Sequence, residues 1–544
     1  MKKNTYGKRD ITENCVTLNS YRELLEYRME NAPDVPVFRT KNYSTGEEVS
    51  VLPEEFSNKA DALGAWLAEK GYHRTHIAVL GENSYQWVLL MFAVICSDNV
   101  LVTLDKGLEF TTMQSVIGRS DSRVLFYSKG YEEYASSLKE QYGLETYPLE
   151  EVNRFAAVRL ASGEVEKIPT DPDALAILMY TSGTTGPSKG VMLSQRNAMN
   201  NLSSSMCQTD LSGDSVYLLP LNHIYGLVPA LLMPFITGCI NTINQNLRYM
   251  MQDIGQARPQ ILFLVPLFLE TMYGSLWKGI RAKGMEDQIR EIIEKNRARG
   301  ASNGEKREMF RDILAAFGGR LTRIVSGGAP LSLRLYEGFK DFGIEVLNGY
   351  GITETSPVLA VNPVDHNKPE SVGRIVAGEE VRINDPDASG DGEICVRGTN
   401  VMLGYYRDEE RTAESLRDGW FFTGDKGFLD EDLYIHINGR IKNLIILSNG
   451  ENVSPEELEE FLYQNEAVLE TLVYEKEGKI AAEIFLDADY LARSGIEDGE
   501  VFVRKYISDL NKELAVYKRI GTVLFRDTPF ERTSSKKIKR QYQN

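Results

Sequence analysis

The chain has 544 residues, which at roughly 150 residues per domain points to three or four compact units and excludes a mini-protein or a single small core. Hydrophobic residues make up 42% and charged residues 26%, which excludes a disordered, collagenous or coiled-coil chain. With 61 Lys+Arg against 78 Asp+Glu and a net charge of -17, the body repels a phosphate backbone, so bulk nucleic-acid binding is disfavoured and anions must be caught locally.

In chain order, helical patterns at Tyr21 to Asn31, Pro53 to Lys70 and Ser84 to Cys96 alternate with short apolar runs at His76 to Leu80, Asn99 to Leu104 and Arg123 to Tyr127. That alternation predicts an α/β fold with a mainly parallel sheet. Val216 to Ile240 is long and apolar enough to span a bilayer, but Pro220, Asn222, His223, Pro229 and Pro234 interrupt it, which predicts buried irregular structure and no transmembrane segment. No acidic residue falls between Ser215 and Gln252. Such a gap fits either the wall of an apolar or carboxylate-binding pocket or ordinary core.

The α/β rhythm resumes at Ile261 to Val265, Arg323 to Val325 and Ile344 to Leu347, around a charged helical insertion at Arg281 to Phe317. From about Asp387 to Arg440, short strands with Gly and Asp turns predict a β-rich subdomain. Beyond Arg440 a small α+β unit follows. Ser454, Pro455 and Glu457 mark a helix start with a capping box, Val468 to Tyr474 and Lys479 to Leu486 make a hairpin, and a basic tail runs from Arg532 to Arg540.

Five cysteines, Cys15, Cys96, Cys207, Cys239 and Cys395, are scattered without CxxC spacing, which suits reduced thiols in a cytoplasmic protein better than a disulfide frame. His73 and His76 are the one close histidine pair and have no partner set for zinc. The opening MKKNTYGKRD is followed by no apolar segment, so a secretory signal is not expected.

The strongest chemical signal is YTSGTTGPSKG, Tyr180 to Gly190, directly after the apolar run Ala174 to Met179. Its glycines, hydroxyls and Lys189 supply donors that wrap a polyphosphate. It is not a Walker loop, because Ser188 stands where the second Gly belongs and Gly190 where the hydroxyl belongs. In NGYGITETSP, Asn348 to Pro357, Glu354 occupies the third Gly position of a dinucleotide fingerprint, which excludes a Rossmann pyrophosphate site. Beside phosphates, Glu354 makes sense with a cation between them, a Mg²⁺ carboxylate. Tyr350 offers a flat face to a base and Asn348 a hydrogen-bonding edge. SGGAPL at Ser326 to Leu331 permits close backbone approach, and TGD at Thr423 to Asp425 supplies an acceptor for ribose hydroxyls.

Together with GWFFTGD, GRIKNLI and a lysine in the tail, these blocks resemble the adenylate-forming superfamily of acyl-CoA synthetases, adenylation domains and luciferases over roughly residues 20 to 540. SGGAPL, LNGYGITETSP, NVMLGYY and the helical insertion look most like its long-chain fatty acyl-CoA synthetases. The resemblance implies a large adenylating domain over residues 1–440, built of α/β subdomains and the β-rich one, and a small mobile domain over residues 441–544. It implies ATP, Mg²⁺ and coenzyme A as co-substrates and cofactor, a fatty acid as the carboxylic acid, and acyl-AMP followed by an acyl-CoA thioester. A carrier-protein phosphopantetheine as acceptor and a non-catalytic adenylate- or acyl-binding regulator are the alternatives. The expected location is the cytoplasm, with a peripheral place at the membrane surface left open.

By the same resemblance, Thr181, Ser182, Gly183, Thr184 and Thr185 hold the β- and γ-phosphates with Lys189 nearby, and Glu354 takes Mg²⁺ with Thr181. Gly328, Ala329, Asn348, Gly349 and Tyr350 line the adenine slot, Thr353 touches the α-phosphate, and Asp425 and Arg440 hold the ribose. Lys537 is the adenylation lysine, preceded by Lys536 where the family usually has Gly, and Lys442 is the hinge that brings Ser448 to Val453 toward CoA. His223 sits at the acyl pocket, and the acid-free run around it disfavours amino-acid substrates, whose ammonium needs a counter-charge.

Overall fold

The computed structural model describes residues 3–11, 15–43, 45–181, 188–447, 452–532 and 538–540. A first sheet places its strands in the order Gly404–Tyr405, Lys189–Ser194, Leu175–Thr181, Val100–Thr103, His76–Leu80, Val124–Tyr127 and Glu145–Pro148. The last five run parallel, and the first two are antiparallel additions. Helices make the parallel crossovers. One of them, Tyr85–Cys96, starts on Ser84, whose hydroxyl accepts from the Trp87 N–H, and buries all its residues except Gln86. A helix apolar on every face has to sit inside. Phe92 there meets Tyr21, Phe56 and Phe235 with ring centroids 5.3, 5.0 and 5.6 Å away.

A second sheet is parallel through Ile261–Leu264, Arg323–Ser326 and Glu345–Gly351, then turns antiparallel at Val358–Val361 and Arg374–Ile375. The apolar stretch expected to be buried and irregular becomes the strand Ser215–Tyr217, a π-helical turn Gly226–Ala230 and the short helix Leu231–Ile236, all inside the main core. Among the described residues no helix is long and apolar enough to cross a membrane. The charged insertion folds as the helices Glu286–Ala298, Asn303–Met309 and Arg311–Leu314, with Ile289, Ile293 and Leu314 turned inward.

The β-rich part departs from expectation at its start. Its sheet begins with Glu380–Asn384, ahead of Asp387, and takes in Lys3–Asn4 and Tyr6–Lys8 from the other end of the chain. Those segments are too short and polar to show strand periodicity, and they are ordered by pairing with strands already present. The last sheet, Val468–Lys476, Lys479–Leu486 and Ile520–Arg526, packs with the helices Pro455–Tyr463 and Gly499–Glu513 around a core of its own. Ser454 caps the first of these helices by accepting from the Glu457 N–H, but the Glu457 carboxylate turns to Lys518 (2.7 and 2.8 Å). An ion pair takes the carboxylate that a capping box needs.

The cysteine expectation is corrected at one pair. Cys15 and Cys207, 192 residues apart, are disulfide-bonded, because the N-terminal segment runs beside the end of the helix Gln195–Gln208. Cys96, Cys239 and Cys395 are free, and burial pushes the Cys96 and Cys395 thiols up to about 12. The cytoplasmic expectation rested partly on five reduced thiols and loses that part of its support. Phe92→Ala empties the centre of the aromatic cluster and is expected to lower stability by about 3–5 kcal/mol, read from the urea midpoint of the large body.

Candidate active site

Parallel strands deliver their side chains at their C-terminal ends, where ligands bind in open α/β sheets. The ends of Leu175–Thr181, Arg323–Ser326 and Glu345–Gly351 open into one crevice of about 2670 Å³. Its walls include Thr181, Lys189, His223, Gly328, Ala329, Asn348, Gly349, Tyr350, Thr353, Glu354, Asp425, Arg440 and Lys442. The structure therefore gathers every described residue nominated for the nucleotide, acyl and hinge positions, whereas Val453, from the run expected to approach CoA, is buried in the separate core of the C-terminal part. Ser182, Gly183, Thr184, Thr185, Lys537 and residues 448–451 lie outside the described residues.

Thr181 and Lys189 face each other at the base of the β-hairpin that carries the phosphate-type loop. Arg119, which no motif pointed to, fastens that base. Its guanidinium donates to the Ser188 carbonyl (2.8 Å) and lies 5.6 Å from the centre of the Tyr180 ring. Glu354 sits in the one-turn helix Thr353–Thr355, where its Oε1 accepts from the Tyr405 hydroxyl (2.8 Å). Lys189 Nζ stands 4.7 Å from the centre of the same Tyr405 ring. Burial, and then the Glu354 carboxylate, push the Tyr405 hydroxyl far above its ordinary value, so it remains a donor.

Asp425, 3% exposed, accepts from the Tyr350 hydroxyl (2.5 Å) and pairs with Arg440 Nε (2.8 Å) across two neighbouring strands. A buried carboxylate needs such partners. Asn348 turns its amide inward to the Ser371 carbonyl (3.1 Å), so one of its donors is engaged within the fold. Gly351 is required by space, because a Cβ there would overlap the Pro357 carbonyl. Gly328 has φ +81°, the left-handed region that glycine tolerates. Lys442 lines the same crevice, and its ammonium is held below its usual range by desolvation and then by the Arg440 and Lys189 cations.

The acid-free run does not make an acid-free pocket. Asp105, just beyond the strand Val100–Thr103, lines the crevice with Oδ2 4.0 Å from His223 Nε2. The argument against amino-acid substrates from missing counter-charge therefore falls. A stretch of sequence reports only its own residues, and the carboxylate arrives from a segment about a hundred positions upstream. The rule that sites gather at C-terminal strand ends, applied to the run Asn99 to Leu104, points to Asp105. Tyr405 lies inside the NVMLGYY block, whose residues had no assigned part.

The chain's tail reaches this crevice through Ile538, Lys539 and Arg540. Arg532 and Ile538 form an antiparallel bridge, and Arg540 pairs with Glu459 (2.5 Å) and Glu456 (3.4 Å). Arg334 and Glu466 (3.7 Å) link the large body to the small one.

Among the described residues no three His, Cys, Asp or Glu side chains gather into a metal cage. The Glu354 carboxylate and the Thr181 hydroxyl line the same crevice and are oxygen donors of the kind that Mg²⁺ takes where phosphates supply the rest. The residues present fit that group.

A sequence profile described as AMP-binding enzyme matches residues 25–406, and one described as AMP-binding enzyme C-terminal domain matches residues 442–543. The chain belongs to the AMP-binding enzyme family. It is 28% identical to the long-chain-fatty-acid–CoA ligase FadD15 of Mycobacterium bovis, over 79% of this chain and 76% of that protein. It is 29% identical to fatty acyl-CoA synthetase B of Dictyostelium discoideum, over 80% and 71%. ATP-bound MatB from Rhodopseudomonas palustris shares the fold with TM-score 0.77 at 24% identity, covering 95% of this chain and 97% of that one.

Burial pushes the Glu459 carboxyl up to about 7, from an ordinary 4.5, against the opposing pull of Arg540. Between those values the folded protein holds a proton that the unfolded chain has released, so Glu459's contribution to stability is full below about pH 4.5 and is lost as pH rises through about 7. Glu459→Gln is expected to flatten that fall in the small body, measured by urea midpoints at about pH 5 and about pH 8.

Proposed function

We propose that the protein is an ATP- and Mg²⁺-dependent acid–thiol ligase that converts a fatty acid to acyl-AMP and then to its CoA thioester. The observation that carries this reading is one crevice holding Glu354 and Lys189 about Tyr405, and Asp425 with Arg440 and Tyr350. The fatty-acid relatives support the substrate class. So do the apolar residues Leu219, Ile224, Pro229, Phe263 and Val265 on the crevice wall, since each buried methylene of a chain is worth about 0.8 kcal/mol.

In this reading Thr181, Ser182, Gly183, Thr184, Thr185 and Lys189 hold the β- and γ-phosphates. Gly328, Ala329, Asn348, Gly349 and Tyr350 take the adenine, and Asp425 with Arg440 the ribose. Glu354 and Thr181 would hold magnesium, which would supply charge neutralisation for the phosphates. Thr353 and Lys537 face the α-phosphate, where the attacking carboxylate concentrates negative charge, and His223 flanks that carboxylate. Catalysis is positioning and preorganised charge. Residues 1–440 act as the adenylating body and residues 441–544 as a small body turning about Lys442 for the thioester step. The separate core formed within residues Ile445 to Ile520 supports that division.

An acid panel scored by ATP-dependent CoA thioester formation tests the reading, with fatty acids expected as the best substrates. Pyrophosphate exchange at background with every acid defeats it, and thioester formed only on a carrier protein moves the acceptor. Lys537→Ala is expected to slow acyl-AMP formation by about a hundredfold or more while largely keeping thioester formation from supplied acyl-AMP. Equal loss in both half-reactions assigns the lysine another part.

A further inference from the structure

Tyr405 touches two parts of the site at once. Its hydroxyl donates to Glu354 Oε1 (2.8 Å), and its ring carries Lys189 Nζ at 4.7 Å. The backbone around it is a strap between the same two elements. The Met402 N–H donates to the Glu354 carbonyl (2.9 Å), the Leu403 N–H to the Met192 carbonyl (2.9 Å) and the Tyr406 N–H to the Gly190 carbonyl (2.8 Å). The Tyr405 N–H itself donates to Thr412 Oγ1 (2.9 Å), and the residue is 4% exposed. A side chain held from both ends in this way has little freedom to move.

The charges on either side of it are opposite. A carboxylate and an ammonium with nothing between them close into a direct ion pair, and each then loses the geometry it needs for another partner. The ring prevents that closure by giving the ammonium a π-face, while the hydroxyl gives the carboxylate a single donor and leaves its other oxygen available.

We propose that Tyr405 is a positioning residue that holds Glu354 and Lys189 apart and aimed, so that one remains available to magnesium and the other to phosphate. This rests on the ligase reading above. Outer partners of metal ligands commonly change metal affinity by about ten- to a hundredfold when removed. Tyr405→Phe keeps the spacer and the π-face but removes the donor to Glu354. Tyr405→Leu removes the donor and the π-face together.

The experiment is calorimetric titration of the intact protein with ATP at graded Mg²⁺, accompanied by thermal unfolding without ligand and by steady-state kinetics. Tyr405→Phe is expected to unfold at the wild-type temperature and to need about tenfold more Mg²⁺ for half-maximal ATP binding, with KM for the acid unchanged. Tyr405→Leu, if it folds, is expected to bind MgATP more weakly still. Wild-type protein that binds no MgATP sinks the ligase reading. Wild-type protein that binds MgATP, with a Phe variant of the same Mg²⁺ requirement, overturns the role of Tyr405 alone. A Phe variant that loses acid and MgATP binding in parallel, with a lowered unfolding temperature, also overturns it, because that pattern marks a general packing role.

Discussion

The arrangement of the crevice depends on a polar helix that is buried. Gln195–Gln208 follows directly from the strand Lys189–Ser194, and its side chains bond backbone groups of distant segments. Asn201 donates to the carbonyls of Thr355 (3.2 Å) and Val358 (2.6 Å) and accepts from the Val358 N–H (3.1 Å). Asn197 donates to the carbonyls of Thr399 (2.7 Å) and Val401 (3.1 Å). These bonds pin the turn that carries Glu354, and the strap that carries Tyr405, to the element that continues from the phosphate-type loop. Each bond is worth only about 1 kcal/mol net, but a buried partner left unpaired costs about 1–3 kcal/mol, so the network holds one geometry far better than its alternatives.

The crevice sets cations among carboxylates. The chain carries a net charge of -17, and Lys189, Arg440, Lys442, Lys539 and Arg540 line this cleft together with Glu354, Asp425, Glu456 and Glu459. Most of these cations are already engaged. Arg440 is tied to Asp425, Arg540 to Glu459, and Lys189 rests on an aromatic ring. Pre-placed charge of this kind needs little reorganisation when an anion arrives, which is the condition under which fixed dipoles and charges favour a transition state most. The small body joins the large one partly through Arg334 and Glu466 at 3.7 Å. A partly exposed pair of that length is worth little by itself.

Much of the fold is legible in local pattern. The runs at His76 to Leu80 and Arg123 to Tyr127 become parallel strands, and Tyr21–Asn31 and Tyr85–Cys96 are helices over the expected ranges, because periodicity and a capping serine report a local preference that packing then endorses. The strands Lys3–Asn4 and Tyr6–Lys8 are not legible. They have no alternation long enough to show, and they are strands only because partners more than 370 positions away accept them. The Cys15–Cys207 bond escapes for the same reason, since spacing along the chain says nothing about a contact made by a returning segment.

At the site the division is similar. The residue types and spacing of YTSGTTGPSKG, GYGITE and TGD by themselves determine which functional groups are on offer: hydroxyl, amide and ammonium donors and two carboxylates. Only the tertiary structure decides which of these groups meet. Asp105 stands 4.0 Å from His223, and Tyr405 stands between Glu354 and Lys189, through contacts that join distant segments. The physical reason is that a motif records the functional groups a segment offers, whereas the distance between two segments is set by sheet order, by the hydrogen bonds of a buried helix and by the core packed beneath them.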